Sequence, residues 1–237
     1  MTTIAAEVQR LKGRLPDLIS PALIDALLRK LPQRFRRRIL TPLVMIQLLV
    51  LRVLEANTAY AHMPHLAGMA FTPWAFCQGL ARLPLELLQS LLTAVGKSVD
   101  QIGPAADDLF FGHRVLLADA LCVSMPDTPS LAQHYGYPAG QKPGLGFPLA
   151  KLLVLLDLST GLIRRVLINP YRTHEASQTR RIHPELGAGD ILVADRAYCS
   201  FVHLALLVAQ ACHGVFRAHQ RLAWNFAAKI KHRRHNL

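Results

Sequence analysis

Hydrophobic and polar positions change their spacing near residue 110. Before it, Ile24, Leu27, Leu28 and Leu31 recur three and four residues apart. That spacing predicts an amphipathic helix, opened by Pro21 after the cap residue Ser20. Thr41-Pro42 repeats the cap-then-proline signal before Leu43 to Ala56, and Thr72-Pro73 repeats it before Trp74 to Arg82. Pro84 opens a further helical run, Leu85 to Val95. After residue 110 the apolar runs are short and bounded by turn residues. Arg114 to Met125 reads as a strand, and Leu152 to Leu158 with Leu162 to Ile168 reads as a hairpin around Ser159-Thr160-Gly161. Gly136 to Pro148 reads as a loop. A helix is expected from about Thr173, with Glu175 in its first turn, and another over Phe201 to Ala211; strands are expected at Ile191 to Asp195 and Gly214 to Arg217.

The order of these elements predicts the topology. Three consecutive strands, then helix, strand, helix and strand, imply a mixed sheet with an antiparallel opening, as in the ribonuclease H-like fold. A doubly wound sheet would place a helix between the early strands. The expected class is α/β (α+β overall): a helical N-terminal domain over residues 1–110, then a mixed-sheet domain over residues 111–237.

Charge narrows the class of partner. The chain of 237 residues carries a formal charge of +12 and a pI near 10.1, which points to a polyanion, most simply nucleic acid. Arg29, Lys30, Arg34, Arg36, Arg37 and Arg38 form a basic cluster with no acidic residue among them. On a connection between helices they could lie against phosphates, or they could form a solvated face. Ile39 to Leu51 is the longest nearly uncharged apolar stretch. Broken by Pro42 and closed by Arg52, it is shorter than the roughly 20 residues of a membrane span and reads as a buried helix. The N-terminus lacks the pattern of a signal peptide. Cys77, Cys122, Cys199 and Cys212 form no C-x-x-C pair and read as reduced core thiols of a cytoplasmic protein.

Two short apolar runs each end in a carboxylate. Val115-Leu116-Leu117-Ala118 leads to Asp119, and Ile191-Leu192-Val193-Ala194 leads to Asp195, with Arg196 and Tyr198 close behind. In a ribonuclease H-like sheet the first and fourth strands are neighbours, so the two aspartates would face one another. Carboxylates there can share hydrated Mg²⁺, and a pair of such ions about 4 Å apart activates a nucleophile and stabilises the leaving oxygen of a phosphodiester. Phosphoaspartate receivers and dehalogenase-type enzymes also end a strand in aspartate, and some such residues only cap turns.

Several stretches together resemble one family. Phe35 to Pro42 and Phe76 to Pro84 resemble the N-terminal region of DDE transposases of the insertion-sequence-four type. Ser124 to Pro129, the Gln141 to Pro148 loop and Gly189 to Cys199 resemble that family's core, in the same order. The resemblance implies that Asp119 and Asp195 are the first and second catalytic, metal-binding aspartates, with Mg²⁺ (Mn²⁺ as substitute) as cofactor. Ala120 stands where the family often has glycine after the first aspartate. The partners implied are element-end and target DNA, with further copies of the chain in a transposition complex, in a bacterial cytoplasm and on the nucleoid when bound. Arg36, Arg37, Arg38, Lys142 and Arg196 are the candidate DNA contacts; Lys142 reads equally as a solvated loop residue.

The family's catalytic glutamate lies well downstream of the second aspartate. From Arg196 to Leu237 this sequence has no Asp or Glu, and Trp224 to Leu237 matches no part of the family. The second domain is therefore expected to be an incomplete ribonuclease H-like domain, and the chain either a truncated transposase or a non-catalytic DNA-binding remnant that inhibits transposition. Glu175 and Glu185 precede Asp195 and do not fit the missing place. Asp127 could support the site or simply form a Pro126–Pro129 turn. His174, His213 and His219 read as chance placements more readily than as ligands.

Overall fold

The computed structural model describes residues 19–35, 38–102, 108–138, 140 and 146–218. It divides into two compact units, Met1–Ala94 and Val95–Leu237.

The first unit is helical. Helices α1 (Pro21–Leu28), α2 (Pro42–Leu54), α3 (Met63–Ala67) and α4 (Pro73–Arg82) lie within it, and α5 (Leu85–Ile102) begins in it. The cap-then-proline signal acts as expected at three starts. Ser20 Oγ accepts the Leu23 amide at 3.2 Å, Thr41 Oγ1 the Val44 amide at 3.3 Å and Thr72 Oγ1 the Ala75 amide at 3.1 Å. Each bond satisfies one otherwise orphaned helix donor, worth about 1 kcal/mol. The apolar stripes meet in two clusters. Ile24 and Leu27 of α1 pack with Ile46 and Leu87, while Met45 and Leu48 pack with Met63 and Phe76. The Ile39 to Leu51 stretch thus belongs largely to a half-buried helix, α2. No helix among the described residues is long and apolar enough to cross a membrane.

Two features of the helical part differ from the sequence reading. α5 runs to Ile102, beyond the expected end at Val95: Gly96 does not enter the left-handed region that would cap a helix, and the helix continues through it. A 3₁₀ turn (Tyr60–His62) and α3 were not foreseen. Their start at Ala59 has no side-chain cap, so the local signal was absent.

The second unit is built on a five-stranded mixed sheet: β1 (Val115–Ser124), β2 (Leu149–Asp157), β3 (Leu162–Pro170), β4 (Ile191–Ala194) and β5 (His213–Phe216). The strand order is β3-β2-β1-β4-β5. β1–β2 and β2–β3 pair antiparallel, whereas β1–β4 and β4–β5 pair parallel. This is the ribonuclease H-like arrangement expected from the element order. Gly161, at φ +68°, closes the β2–β3 turn in the left-handed region. One face of the sheet carries Leu116, Ala118, Leu153, Leu155, Leu192 and Ala194, covered by Ile182, Tyr198 and Leu207. Leu207 lies on α8 (Phe201–Ala209), whose start is capped by Ser200 Oγ accepting the His203 amide.

The β1–β2 connection also carries a helix, α6 (Pro129–Tyr135), unforeseen between the Pro126–Pro129 turn and the loop expected from Gly136. Its start is the same signal again: Thr128 Oγ1 accepts the Leu131 amide at 3.4 Å and Pro129 follows. The helix expected near Thr173 is only the single turn α7 (Glu175–Gln178), followed by 3₁₀ turns. The four thiols are unbridged, but only Cys212 is a core thiol. Cys122 is exposed because it lies on the part of β1 that extends beyond β4.

Candidate active site

β1 and β4 run side by side from Val115↔Ile191 to Ala118↔Ala194. Asp119 and Asp195 are the next residue on each chain, so they leave the paired region at the same level. Side chains alternate along a strand. The pairs Leu116↔Leu192 and Ala118↔Ala194 point into the core, so Leu117↔Val193 and the two aspartates share the other face. Adjacent strands are about 4.8 Å apart, which sets the scale of their separation.

The local chain holds both aspartates open. β4 stops at Ala194, while β1 continues to Ser124 paired with β2 alone, leaving a notch at the sheet edge. Both aspartates are exposed. Asp119 Oδ1 accepts the Ala120 amide at 2.8 Å; no cation among the described residues pairs with either. After Asp195 the chain turns at once into a 3₁₀ turn, Arg196–Tyr198, in which the Tyr198 amide donates to the Asp195 carbonyl at 3.0 Å. Tyr198 is fully buried, and its carbonyl accepts from His203 Nδ1 at 2.8 Å. The turn is therefore anchored below while Asp195 and Arg196 face outward.

The opposite end of the sheet is clamped. Arg114 grips Asp190 with two nitrogens, and Asp190 Oδ2 also accepts the Gly187 amide at 2.7 Å. Arg114 Nη2 donates to the Glu185 carbonyl at 3.2 Å, and Asp157 lies 3.8 Å from Nη1. The carboxylate of Asp190 raises the Arg114 pKa, keeping the guanidinium charged. Arg114 stands five residues before Asp119 and Asp190 five before Asp195. One ion pair thus fixes the β1–β4 register that aligns the two aspartates at the far end. The sequence reading missed both positioning residues, because nothing local links side chains 76 positions apart.

The other candidates fall as follows. Arg196 adjoins the aspartates and is exposed; Arg38 is exposed on the segment before α2. Arg36, Arg37, Lys142 and His219 lie outside the described residues. Glu185 pairs with Arg165 at 3.2 Å, which accounts for its carboxylate. Glu175 begins α7 after the N-cap His174. Asp127 accepts the Tyr137 hydroxyl at 2.6 Å and ties down the ends of α6. His213 opens β5, level with Ile191, and packs against His113 at the clamped end. No cluster of three His, Cys, Asp or Glu suited to a metal occurs among the described residues.

A family model described as "Transposase DDE domain" matches residues 110–236, more than half of the chain. The chain belongs to this transposase family. No curated protein matches it. Among solved structures, the fold is similar to a Mos1 transposase paired-end complex with left transposon end (10% identity, TM-score 0.31, 78% of this chain and 61% of that one). A piggyBac transposase synaptic complex with hairpin DNA matches at 13% identity and TM-score 0.42, over 90% of this chain and 51% of that one. A simian T-cell lymphotropic virus intasome bound to the PP2A regulatory subunit B56 gamma matches at 15% identity and TM-score 0.29, over 61% and 45%. The chain thus spans between 45% and 61% of these proteins. The strand order carries the fold assignment; likenesses this weak add nothing to it.

Proposed function

We propose that the chain derives from a DDE transposase of the insertion-sequence-four type, acting on element-end and target DNA, with Asp119 and Asp195 as two of its three catalytic carboxylates. The observation that carries this reading is the β1–β4 register, which brings both aspartates to one face at one level, with no cation among the described residues to neutralise them. Unpaired carboxylates side by side repel each other unless a cation joins them. Hard oxygen donors in a solvent-reached notch suit hydrated Mg²⁺, or Mn²⁺ in its place. When bound, such ions would activate the attacking oxygen and stabilise the leaving oxygen of a phosphodiester. The protein groups would do the rest. Asp119 and Asp195 would hold the ions, the buried Tyr198 fixes the turn that carries Asp195, and Arg196 would orient a phosphate beside them. Arg36, Arg37, Arg38 and Lys142 would supply further phosphate contacts, and further copies of the chain would join the assembly on DNA.

A second reading is favoured by one fact: residues 196–237 carry no carboxylate. With a catalytic group absent, rates commonly fall by several orders of magnitude. This polypeptide alone would then bind DNA without cutting it, and could occupy element ends or poison full-length multimers. Apolar positions on the aspartates' side of the sheet remain open: Leu121 is 49% exposed, Val123 38% and Val215 55%. A segment bearing the third carboxylate would cover that surface.

The deciding experiment incubates the purified chain with supercoiled DNA and Mg²⁺ or Mn²⁺. Binding without nicking is expected, with cleavage restored by an in-frame downstream segment carrying a glutamate. Nicking by the unextended chain that disappears in Asp195→Ala would overturn the incomplete-site reading, and failure to bind DNA would overturn the function itself.

A further inference from the structure

We propose that a cleft within the helical unit seats one nucleotide of an unpaired DNA strand; this rests on DNA being the partner, as proposed above. The cleft holds about 720 Å³ and is lined by residues of Gln33–Phe35, Arg38–Met45 and Gly79–Pro84. Its size falls within the roughly 300–1,000 Å³ of small-ligand pockets. Arg34, Arg38 and Arg82 belong to its lining, and all three residues are exposed. No carboxylate among the described residues pairs with them. Arg52 of the same unit shows the contrast. Its guanidinium donates to the Thr58 and Asn57 carbonyls and lies 4.7 Å from the Tyr60 ring centre, a structural role that consumes it.

The floor has the other half of the chemistry. Phe35, Leu40 and Leu83 are half-buried, and Pro42 and Met45 are buried. Cations over an apolar floor that includes an aromatic ring match a phosphodiester joined to a base. Arginine takes the phosphate in its fork of donors, and the base gains by stacking or apolar contact, which tolerates any sequence. A duplex cannot enter a cleft of this size and would touch the arginines only from the rim, whereas a frayed or single-stranded end can place a base inside. Arg82 lies far from the Arg34–Arg38 segment in sequence, so only the packing of α4 beside that segment assembles the site. Within the cleft lining α4 lies close against α2: a Cβ on Gly79 would come within 2.8 Å of the Met45 sulfur.

The test measures binding of the full chain to two fluorescent DNAs, a blunt duplex and the same duplex with a short single-stranded tail. Wild type should prefer the tailed DNA. Ala81→Trp fills the cleft without removing charge, so it should abolish the preference, a loss of about tenfold on tailed DNA, and leave blunt binding unchanged. Arg34→Gln with Arg82→Gln should weaken tailed binding and flatten its salt dependence, which keeps the proposal testable if the tryptophan variant does not fold. Equal wild-type affinity for the two DNAs, or a preference that survives in either variant, would overturn the nucleotide site while leaving DNA binding intact. A wild-type chain that binds neither DNA would overturn the DNA reading along with it.

Discussion

The two ends of the β1–β4 pair carry the same residue type to opposite effect. At the entry end Asp190 and Asp157 are buried, with side-chain exposures of 9% and 2%, and lie with Arg114. At the exit end Asp119 and Asp195 are exposed and lack a protein cation among the described residues. Neutralised carboxylates hold a register; unneutralised ones are available to something that arrives from solution. The distinction comes from partners and burial, since both ends read alike as an aspartate beside an apolar run.

The largest effect should come from breaking the clamp. Asp190→Ala leaves Arg114 beside a vacated site and the Gly187 amide without its acceptor. Loss of one partner of a mostly buried pair costs about 3 kcal/mol, so the second unit's melting temperature should fall by several degrees or more. A melt unchanged from wild type would show that the strands need no clamp.

Acidity should act next, through the layer beneath the sheet. His183 and His203 are buried, their rings 5.0 Å apart, and neither Nε2 has a hydrogen-bond partner among the described residues. Burial depresses both pKa values, and for His203 the neighbouring His183 adds to it. The unfolded chain therefore protonates first. The stability gained from keeping both rings neutral is fully present above the ordinary histidine value near 6.5. It is lost as pH falls from there towards the depressed folded values. Urea midpoints measured from pH 8 down to pH 5.5 should decline for wild type and decline less for His203→Gln. Parallel curves would remove this pair as the cause.

A smaller effect belongs to the turn that presents Asp195. Ser200→Ala removes the α8 cap and should cost about 1 kcal/mol, read as a shift in urea midpoint. Smallest of all, Asp119→Asn and Asp195→Asn should change stability by less than about 0.5 kcal/mol, since neither carboxylate holds an ion pair with a described residue. Strong destabilisation by either, or stabilisation large enough to imply relieved repulsion, would sharpen the contrast between the two ends in different directions.

How much of this could be read from the chain depended on how local each cause is. Ser20-Pro21, Thr41-Pro42 and Thr72-Pro73 marked helix starts because cap and proline act within one turn. Thr128-Pro129 carried the same signal and was passed over, since Pro126 and the glycine-rich stretch after Tyr135 suggested a loop. The neighbouring placement of β1 and β4 followed from element order. Arg114 with Asp190, Arg164 with Asp100, and the shared cleft of Arg82 and Arg34 were not legible, because each is assembled by folding alone. The scattered cysteines gave no hint that β1 outruns β4 and leaves Cys122 in solvent.

The central claim, that Asp119 and Asp195 form one cation site, is tested most directly by Mn²⁺ binding followed by electron paramagnetic resonance. Wild type should bind Mn²⁺ weakly, and Asp119→Asn and Asp195→Asn should each lower that affinity. The double variant should lose little more than either single one, as expected for two ligands of one ion. Mn²⁺ binding that neither substitution alters, or losses that simply add, would contradict the account.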